Sequence, residues 1–459
     1  MPPEPTCPAA TWTDLEVRPA PRWIAHRGGR WMAPENTIEA YRMAAELGID
    51  AIEIDVYRLQ DGGLVVMHDS TADHTSNLTG PTGGLTTPAV LRGRVDAGGW
   101  FCNTWPDDLR IPLFTDVLAE IGGMVPLVVH CNNTGSGAAA VAAVQRHERA
   151  DSVLIMAWNE TELEAARTAG IPTILLDEDG TLPAGQTYAG LLAAGTEYIG
   201  LNPARTPVAA IRAAAAAGLK VIVYTVNRRS DYQALPDDAV WAVISDDPWY
   251  VQASTPMRTR DIFTAQTFFH GMLGIVSGKE DRGSFQAPAW FGLDASGTRH
   301  AANIGYLGVM QGYLGPLSPA FTIDFDFVLD AADSSGASLQ LALTVGDGEY
   351  DDDVDSTGGE RRAGYNILMR SSGVLDIFKT WGGTTPATKL AGVATGALTP
   401  GTVNHLRVQV TPTQITATRT NATTTANKVA VTDSTYRGNL YPHLGVRDVR
   451  ARWSNLAVI

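Results

Sequence analysis

The sequence predicts an α/β TIM-like barrel followed by an all-β sandwich. Three observations carry this. Short apolar runs alternate with helix-forming stretches through the first half of the chain. After about Phe263 the apolar period drops to two, Gly- and Thr-rich turns separate the runs, and no sustained helical period remains. At roughly 100–200 residues per domain, the 459 residues fit two or three domains, or two large ones.

The barrel runs are Trp23-Ile24-Ala25, Ala51 to Val56, Leu64 to Met67, Leu127-Val128-Val129, Val153 to Met156, Ile174-Leu175-Leu176, Tyr198 to Leu201, Val221 to Val226 and Val243-Ile244. Helix formers lie between them at Thr37 to Leu47, Gly137 to Glu148, Glu160 to Ala169 and Ala209 to Ala217. Asn36 with Glu39 reads as a capping box, and Gly48 as the helix stop. These are nine runs for an eight-stranded barrel, so the run ending at His68 reads as an extra hairpin strand. In the second half, Phe321 to Phe327 alternates strictly, as do Leu339 to Val345, Leu406 to Val410 and Ile415 to Thr418. The expected organisation is an N-terminal extension at 1–20, the barrel at 21–255, and a β-sandwich for binding or assembly at 256–459.

Composition narrows the function classes. Hydrophobic residues make up 44% and charged residues 18%, a folded-chain balance. The net charge of −15 disfavours nucleic acid and anionic membranes as main partners, and means that a phosphate site needs local cations or a metal. No run reaches the roughly 18 apolar residues of a membrane span. The start, Met1-Pro2-Pro3-Glu4-Pro5, does not read as a secretory signal. Cys7, Cys102 and Cys131 are too few for a disulfide framework and fit a reducing compartment. Asp347 to Asp355 reads as a solvated acidic loop, because EF-hand spacing is absent.

The candidate chemistry lies in the barrel. Glu53 and Asp55 share one face of the second strand, while Ile52, Ile54 and Val56 share the other. Two carboxylates pointing into a barrel are costly unless they bind a cation, and oxygen ligands suit a hard divalent metal. Asp61-Gly62 is a hairpin signal, and a turn centred there sets His68 opposite Asp55.

His26-Arg27-Gly28, Pro34-Glu35-Asn36-Thr37, Glu53-Ile54-Asp55-Val56, Asp61-Gly62 and His68-Asp69, taken in order, resemble the glycerophosphodiester phosphodiesterase family. Val223 to Asn227 and Ser245-Asp246-Asp247-Pro248 resemble its last two strands, so the likeness covers about residues 20–252. The resemblance implies metal-dependent hydrolysis of a glycerol phosphodiester. It implies a magnesium or calcium ion on Glu53 and Asp55 and an acid–base pair of His26 and His68; we read His26 as the base and His68 as the acid, with the reverse assignment open. The attacker it implies is the neighbouring glycerol hydroxyl, giving a cyclic phosphate that water then opens. Arg27 resembles a phosphate contact, and Glu35 a support near the metal and substrate.

The chain departs from the family at the fourth strand, where Glu-x-Lys becomes His130-x-Asn132, and Ser-Phe on the next becomes Ala157-Trp158. Alternation sets His130 and Asn132 on the side of Val128, and the resemblance implies that these positions, Asn132 among them, lie around the phosphate site. As a metal ligand, His130 shifts the preference towards manganese or zinc. The competing reading is a hydrogen bond from His130 to Glu53 or Asp55. Trp158 and Tyr224 read equally as core or as substrate platforms. His74 and Trp100 fall in a rim segment without an assigned role, and Cys131 reads as barrel wall.

The second half resembles jelly-roll, concanavalin A-like or laminin G-like sandwiches, which bind glycans or mediate assembly. A catalytic barrel fused to such a sandwich without a signal resembles bacteriophage tail proteins. That context implies a virion-borne enzyme that binds a cell-surface glycan and cleaves a teichoic-acid-like polyol-phosphate polymer. A homo-oligomer is compatible with it. The alternatives are a cytoplasmic bacterial enzyme with an accessory domain, an inactive adhesion scaffold, and a phospholipase D-like head-group enzyme. The last calls for an apolar docking loop that the sequence does not show.

Overall fold

The computed structural model describes residues 11–97, 108–182, 185–261, 263, 272–275, 283–296, 306–348, 361–421 and 424–459. Cys7, Cys102, Trp100, the start at Met1 and most of the acidic loop lie outside these residues. The chain forms two compact units. One comprises the residues up to Asn227 together with Asp231–Val251, and the other comprises Arg228–Ser230 and Gln252–Ile459.

The first unit is a closed parallel barrel. Its strands are β1 (Arg22–Ala25), β2 (Ala51–Arg58), β4 (Leu127–Cys131), β5 (Val153–Ala157), β6 (Thr173–Asp177), β7 (Tyr198–Leu201), β8 (Lys220–Val223) and β9 (Val240–Ser245). They run in the order β1-β9-β8-β7-β6-β5-β4-β2, and the β1–β2 pairing at Ile24↔Ala51 closes the ring. The remaining strand, β3 (Leu64–Val66), is antiparallel to β2 and stands outside the ring, as the surplus run required.

Its register corrects one expectation. Val56 pairs with Val66, and the Met67 amide donates to the Asp55 carbonyl at 3.1 Å. Met67 therefore stands opposite Asp55, and His68 falls one residue past it. The Leu59 amide donates to the Gly63 carbonyl at 2.8 Å, so the loop is Gln60-Asp61-Gly62, three residues centred on Asp61 in place of a two-residue Asp61-Gly62 turn.

Alternation decides what points inward. Ile24, Ala51, Val128, Leu154, Met156, Ile174, Leu176, Tyr198, Ile222, Ala242 and Ile244 form one interior cluster. Because Ala51 and Val128 point in, so do Glu53, Asp55 and His130 further along the same strands. The parallel register sets Asp55 directly beside His130. Helices Ile38–Glu46, Ser136–Arg146, Glu164–Thr168 and Val208–Ala216 follow the expected helical stretches, and Tyr188–Ala193 is a further helix that the sequence reading did not mark.

Residues 11–20 are more than an extension. Helix Trp12–Glu16 contributes Trp12 and Leu15 to the barrel interior cluster. The Trp12 indole donates to the Tyr198 hydroxyl at 2.7 Å and stacks edge-on to its ring. Five residues cannot hold a helix by propensity, so burial holds this one.

The second unit consists of an eight-stranded and a seven-stranded antiparallel sheet among the described residues. They share one core, with Phe325, Phe327, Val408 and Trp453 from the first and Leu341, Leu343, Ile367 and Leu444 from the second. The strand Phe321–Ala332 buries Phe321, Ile323, Phe325 and Phe327 as its alternation predicts. Asp347 departs from the solvated-loop reading, since it is buried. Among the described residues, no helix is long and apolar enough to cross a membrane.

Replacing Trp12 with Ala is expected to destabilise the barrel by about 3–5 kcal/mol through a cavity at the strand starts. Urea titration of the full chain reads this as an earlier barrel transition. An unchanged midpoint would show that the helix only rests on the barrel.

Candidate active site

The site begins where β1 stops. Arg27, Gly28 and Gly29 all take positive φ, 51°, 86° and 90°, so the chain turns sharply after Ala25. A Cβ on Gly28 would lie 2.8 Å from the Tyr41 ring and 2.9 Å from Ala40 Cβ. Glycine therefore lets this turn lie on the following helix. That close approach aims the Arg27 amide at Glu53 Oε2, 2.9 Å away. The helix is capped one residue later than expected: Thr37 accepts from the Ala40 amide. Asn36, at φ 57°, is freed to turn its side chain into the site.

Glu53 and Asp55 are 1% and 0% exposed. Asp55 Oδ1 accepts from Asn132 Nδ2 at 3.0 Å and lies 3.1 Å from His130 Nδ1. Its Oδ2 accepts from Asn36 Nδ2 at 3.0 Å and lies 3.3 Å from Arg27 Nε. The Asn36 carbonyl is fixed in turn by the Tyr41 hydroxyl at 2.7 Å. Burial raises both acids, but they diverge. Burial and the neighbouring Asp55 charge push Glu53 well above the usual carboxylate range. For Asp55, the His130 hydrogen bond and the Arg27 charge outweigh burial and hold it well below that range. The pair therefore keeps its proton on Glu53.

Glu53, Asp55 and His130 each offer a ligand atom within 4.8 Å of the others. His130 Nε2 is buried and has no hydrogen-bond partner. Two carboxylates and one orphaned imidazole nitrogen fit a divalent cation. His130 Nδ1 bonds Asp55, as the hydrogen-bond reading expects, and Nε2 stays available to a ligand.

The other expected substrate contacts sit within the carboxylate network. Arg27 Nη1 donates to Glu35 Oε1 at 2.8 Å, and Arg30 Nε lies 3.2 Å from Glu35 Oε2. Glu35 is thus held by two guanidiniums and does not join the metal-ligand group found among the described residues. Burial works against the Arg27 charge, but Asp55, Glu35 and Glu53 outweigh it and raise its pKa. Asn132 reaches Asp55 from the next strand.

Both candidate catalytic histidines are backed by carboxylates. His26 Nδ1 lies 2.5 Å from Asp246 Oδ1, and its Nε2 lies 4.0 Å from Glu53 Oε2. Asn227 holds Asp246 at both ends: Nδ2 donates to Oδ2 at 2.7 Å, and Oδ1 accepts from the Asp246 amide at 2.9 Å. Burial lowers the His26 pKa and outweighs the opposing Asp246 charge. Burial raises Asp246, but His26 outweighs it and holds that carboxyl down to about 2. His68 Nδ1 lies 2.7 Å from Asp69 Oδ1, and His74 Nδ1 lies 3.0 Å from Asp69 Oδ2. The His68 hydrogen bond is the main reason that Asp69 falls to about 2. The His68 side chain is 38% exposed, so it faces solvent as well as the site.

Asp246, Asn227, Asp69 and Asn36 are the functional neighbours that sequence reasoning did not assign. All four stood in motifs already singled out: the Asp246–Asn227 pair meets His26 from far along the chain, Asn36 was read as a cap, and Asp69 directly follows the histidine it backs. Trp158 is 47% exposed, with its ring 6.5 Å from that of His130, which favours a platform over core. Tyr224 is half-buried against the interior cluster and meets Trp158 edge-on. The buried Cys131 thiol is pushed up by burial, in keeping with a wall position.

Residues 26–249 match the profile of the Glycerophosphoryl diester phosphodiesterase family. Over 252 residues the chain is 28% identical to a glycerophosphodiester phosphodiesterase of Bacillus subtilis, covering 49% of this chain and 83% of that one. It is 29% identical over 233 residues to a protein of the same name from Caldanaerobacter subterraneus, covering 49% of this chain and 93% of that one. A solved putative glycerophosphoryl diester phosphodiesterase from Silicibacter pomeroyi superposes on 53% of this chain and 96% of its own. Its TM-score is 0.47 and its identity 21%.

Because burial and the Asp55 charge push the Glu53 carboxyl up, manganese binding is expected to displace a proton from it, so the affinity should rise with pH. Calorimetry in two buffers of different ionisation enthalpy reads the release directly. Glu53→Gln should abolish the buffer dependence and weaken binding. Equal heats in both buffers for the unaltered protein would mean that Glu53 is already ionised.

Proposed function

Since residues 26–249 belong to the glycerophosphoryl diester phosphodiesterase family, we propose that this protein hydrolyses glycerophosphodiesters, with His26 and His68 as its acid–base pair. Glu53, Asp55 and His130 hold one divalent cation in this reading. The observation that carries it is the pairing of two carboxylate-backed histidines with a buried ligand set whose His130 Nε2 lacks a partner.

When bound, the cation neutralises the phosphoryl oxygens. The protein's own groups move the protons. Asp246 fixes the proton of His26 on Nδ1, which leaves Nε2 as an acceptor. Burial keeps that ring neutral, so His26 takes the proton of the attacking hydroxyl. That hydroxyl is the neighbouring one on glycerol, and its oxygen forms a new bond to phosphorus. The bond to the departing alcohol breaks, and His68 supplies the alkoxide's proton. Asp69, ionised down to about pH 2, faces His68 Nδ1 and balances the ring's charge before transfer. Water then opens the cyclic phosphate with the two roles exchanged. Arg27, tied to Glu35 and Asp55, acts mainly by holding the carboxylates in place and adding positive charge beside the phosphate.

The proposal extends to a polyol-phosphate polymer as substrate, met at a cell surface by a virion-borne protein. What supports this is the fusion of the barrel to a two-sheet unit similar in pattern to glycan-binding sandwiches.

His26→Ala and His68→Ala should each lower turnover of a glycerophosphodiester by about 10²–10⁴-fold with circular dichroism unchanged. A near-wild-type rate in either variant removes that residue from the chemistry.

A chelator should abolish turnover. His130→Glu hardens the ligand set, so activity with magnesium or calcium should rise and that with manganese or zinc should fall. An unchanged metal profile would place His130 outside the site.

A further inference from the structure

We propose that the seven-stranded sheet carries a second binding site, for the phosphate group of a hydroxyl-rich ligand, built on Arg447, Ser338 and Arg370. Strand Ser338–Val345 lies between Leu440–Arg447 and Arg361–Arg370. Ser338 pairs with Arg447 on one side and with Arg370 on the other. The three residues thus form a rank across adjacent strands, with the arginine backbones about 10 Å apart. Leu339, Met369 and Val446 lie in the core, so this rank projects from the opposite face.

That face holds a cavity of about 270 Å³, lined by Ser338, Asn366, Arg370, Phe378 and Arg447 among others. Ser338 is 1% exposed, and its Oγ has no hydrogen-bond partner. Such a hydroxyl is costly to bury unless something arrives to satisfy it. Arg370 is held in place, with Nε 2.8 Å from Asp376 Oδ2 and Nη1 3.3 Å from the Gly336 carbonyl. Asp376 is shared with Lys389, whose Nζ lies 2.7 Å from Oδ1. One carboxylate between Arg370 and Lys389, with Arg447 beside them, leaves a surplus of positive charge in a protein of net charge −15. Arg447 is exposed, and its side chain shows no hydrogen bond or ion pair to the described residues.

Guanidiniums are donors only and match the oxygens of a phosphate in pairs. The Ser338 hydroxyl adds a third donor between them. Phe378 and Leu368 on the same wall suit the carbon face of a polyol or sugar. The ligand class is therefore a polyol phosphate. Its source, a polymer held while the barrel cleaves it, rests on the proposed function; the anion chemistry does not.

The test uses the full chain. Binding of poly(glycerol phosphate) is read on the His26→Ala protein, so that the probe is not consumed. Adding Arg447→Glu to that protein should weaken binding about tenfold or more, the order of one charge-assisted contact. In the otherwise unaltered protein, Arg447→Glu should raise KM for the polymer and leave turnover of a small diester unchanged. Unchanged polymer binding overturns the site. Equal weakening of an uncharged glucan overturns the phosphate assignment. If the protein cannot turn over the small diester while Arg447→Glu still weakens binding, the proposed function fails and this site stands.

Discussion

Two carboxylates buried side by side inside a barrel are the constraint on which the rest of the site depends. Moving an ionised carboxylate out of water costs several kcal/mol even after relaxation. Glu53 and Asp55 are enclosed together on one strand. Their surroundings answer that cost with an inward amide from Arg27, two side-chain amides from Asn36 and Asn132, and an imidazole from His130. They come from the turn after β1, the loop before the next helix and the end of β4, and two of the four face an awkward local geometry. Arg27 and Asn36 sit at positive φ, and Gly28 must lack a Cβ for the turn to approach the helix. Where these contacts do not suffice, Glu53 keeps its proton, and that shortfall is what a cation is fitted to remove.

The same logic arranges the histidines. Each ring has one nitrogen committed to an aspartate, Asp246 for His26 and Asp69 for His68, which leaves the other nitrogen for chemistry. The two differ in surroundings. His26 is enclosed, and burial favours its neutral form, while His68 stands at the rim and exchanges with solvent. Similar dyads in unlike environments suit the base and acid roles proposed for them.

The second unit shows what alternation can hide. Strand Ser338–Val345 reads as one apolar and one polar face, yet Gln340 and Thr344 are as buried as Leu339. A sheet face that buries polar groups must satisfy them or leave a site for something that will. Ser338 belongs to the second case, and its arginine neighbours give the unit a cationic pocket on an acidic protein.

The sequence by itself determined the strand–helix alternation, the eight staves with one surplus hairpin, the change to period two, and the ordered motifs around His26, Glu53-Asp55 and His68. These are local facts: periodicity, turn residues and short spacings act within a few residues of themselves. What only the tertiary structure decided is pairing. Asp246 backs His26 from 220 residues away, and Asp55 meets His130 from 75 away. Trp12 closes the interior of a barrel whose Tyr198 partner lies 186 residues on. The hairpin register settled one residue away from the turn signal, and Thr37 took the cap that Asn36 had been expected to supply. In each case the local preference was weak, of the order of about 1 kcal/mol. The burial of two charges cost more, so the closed barrel selected the contacts that answered it.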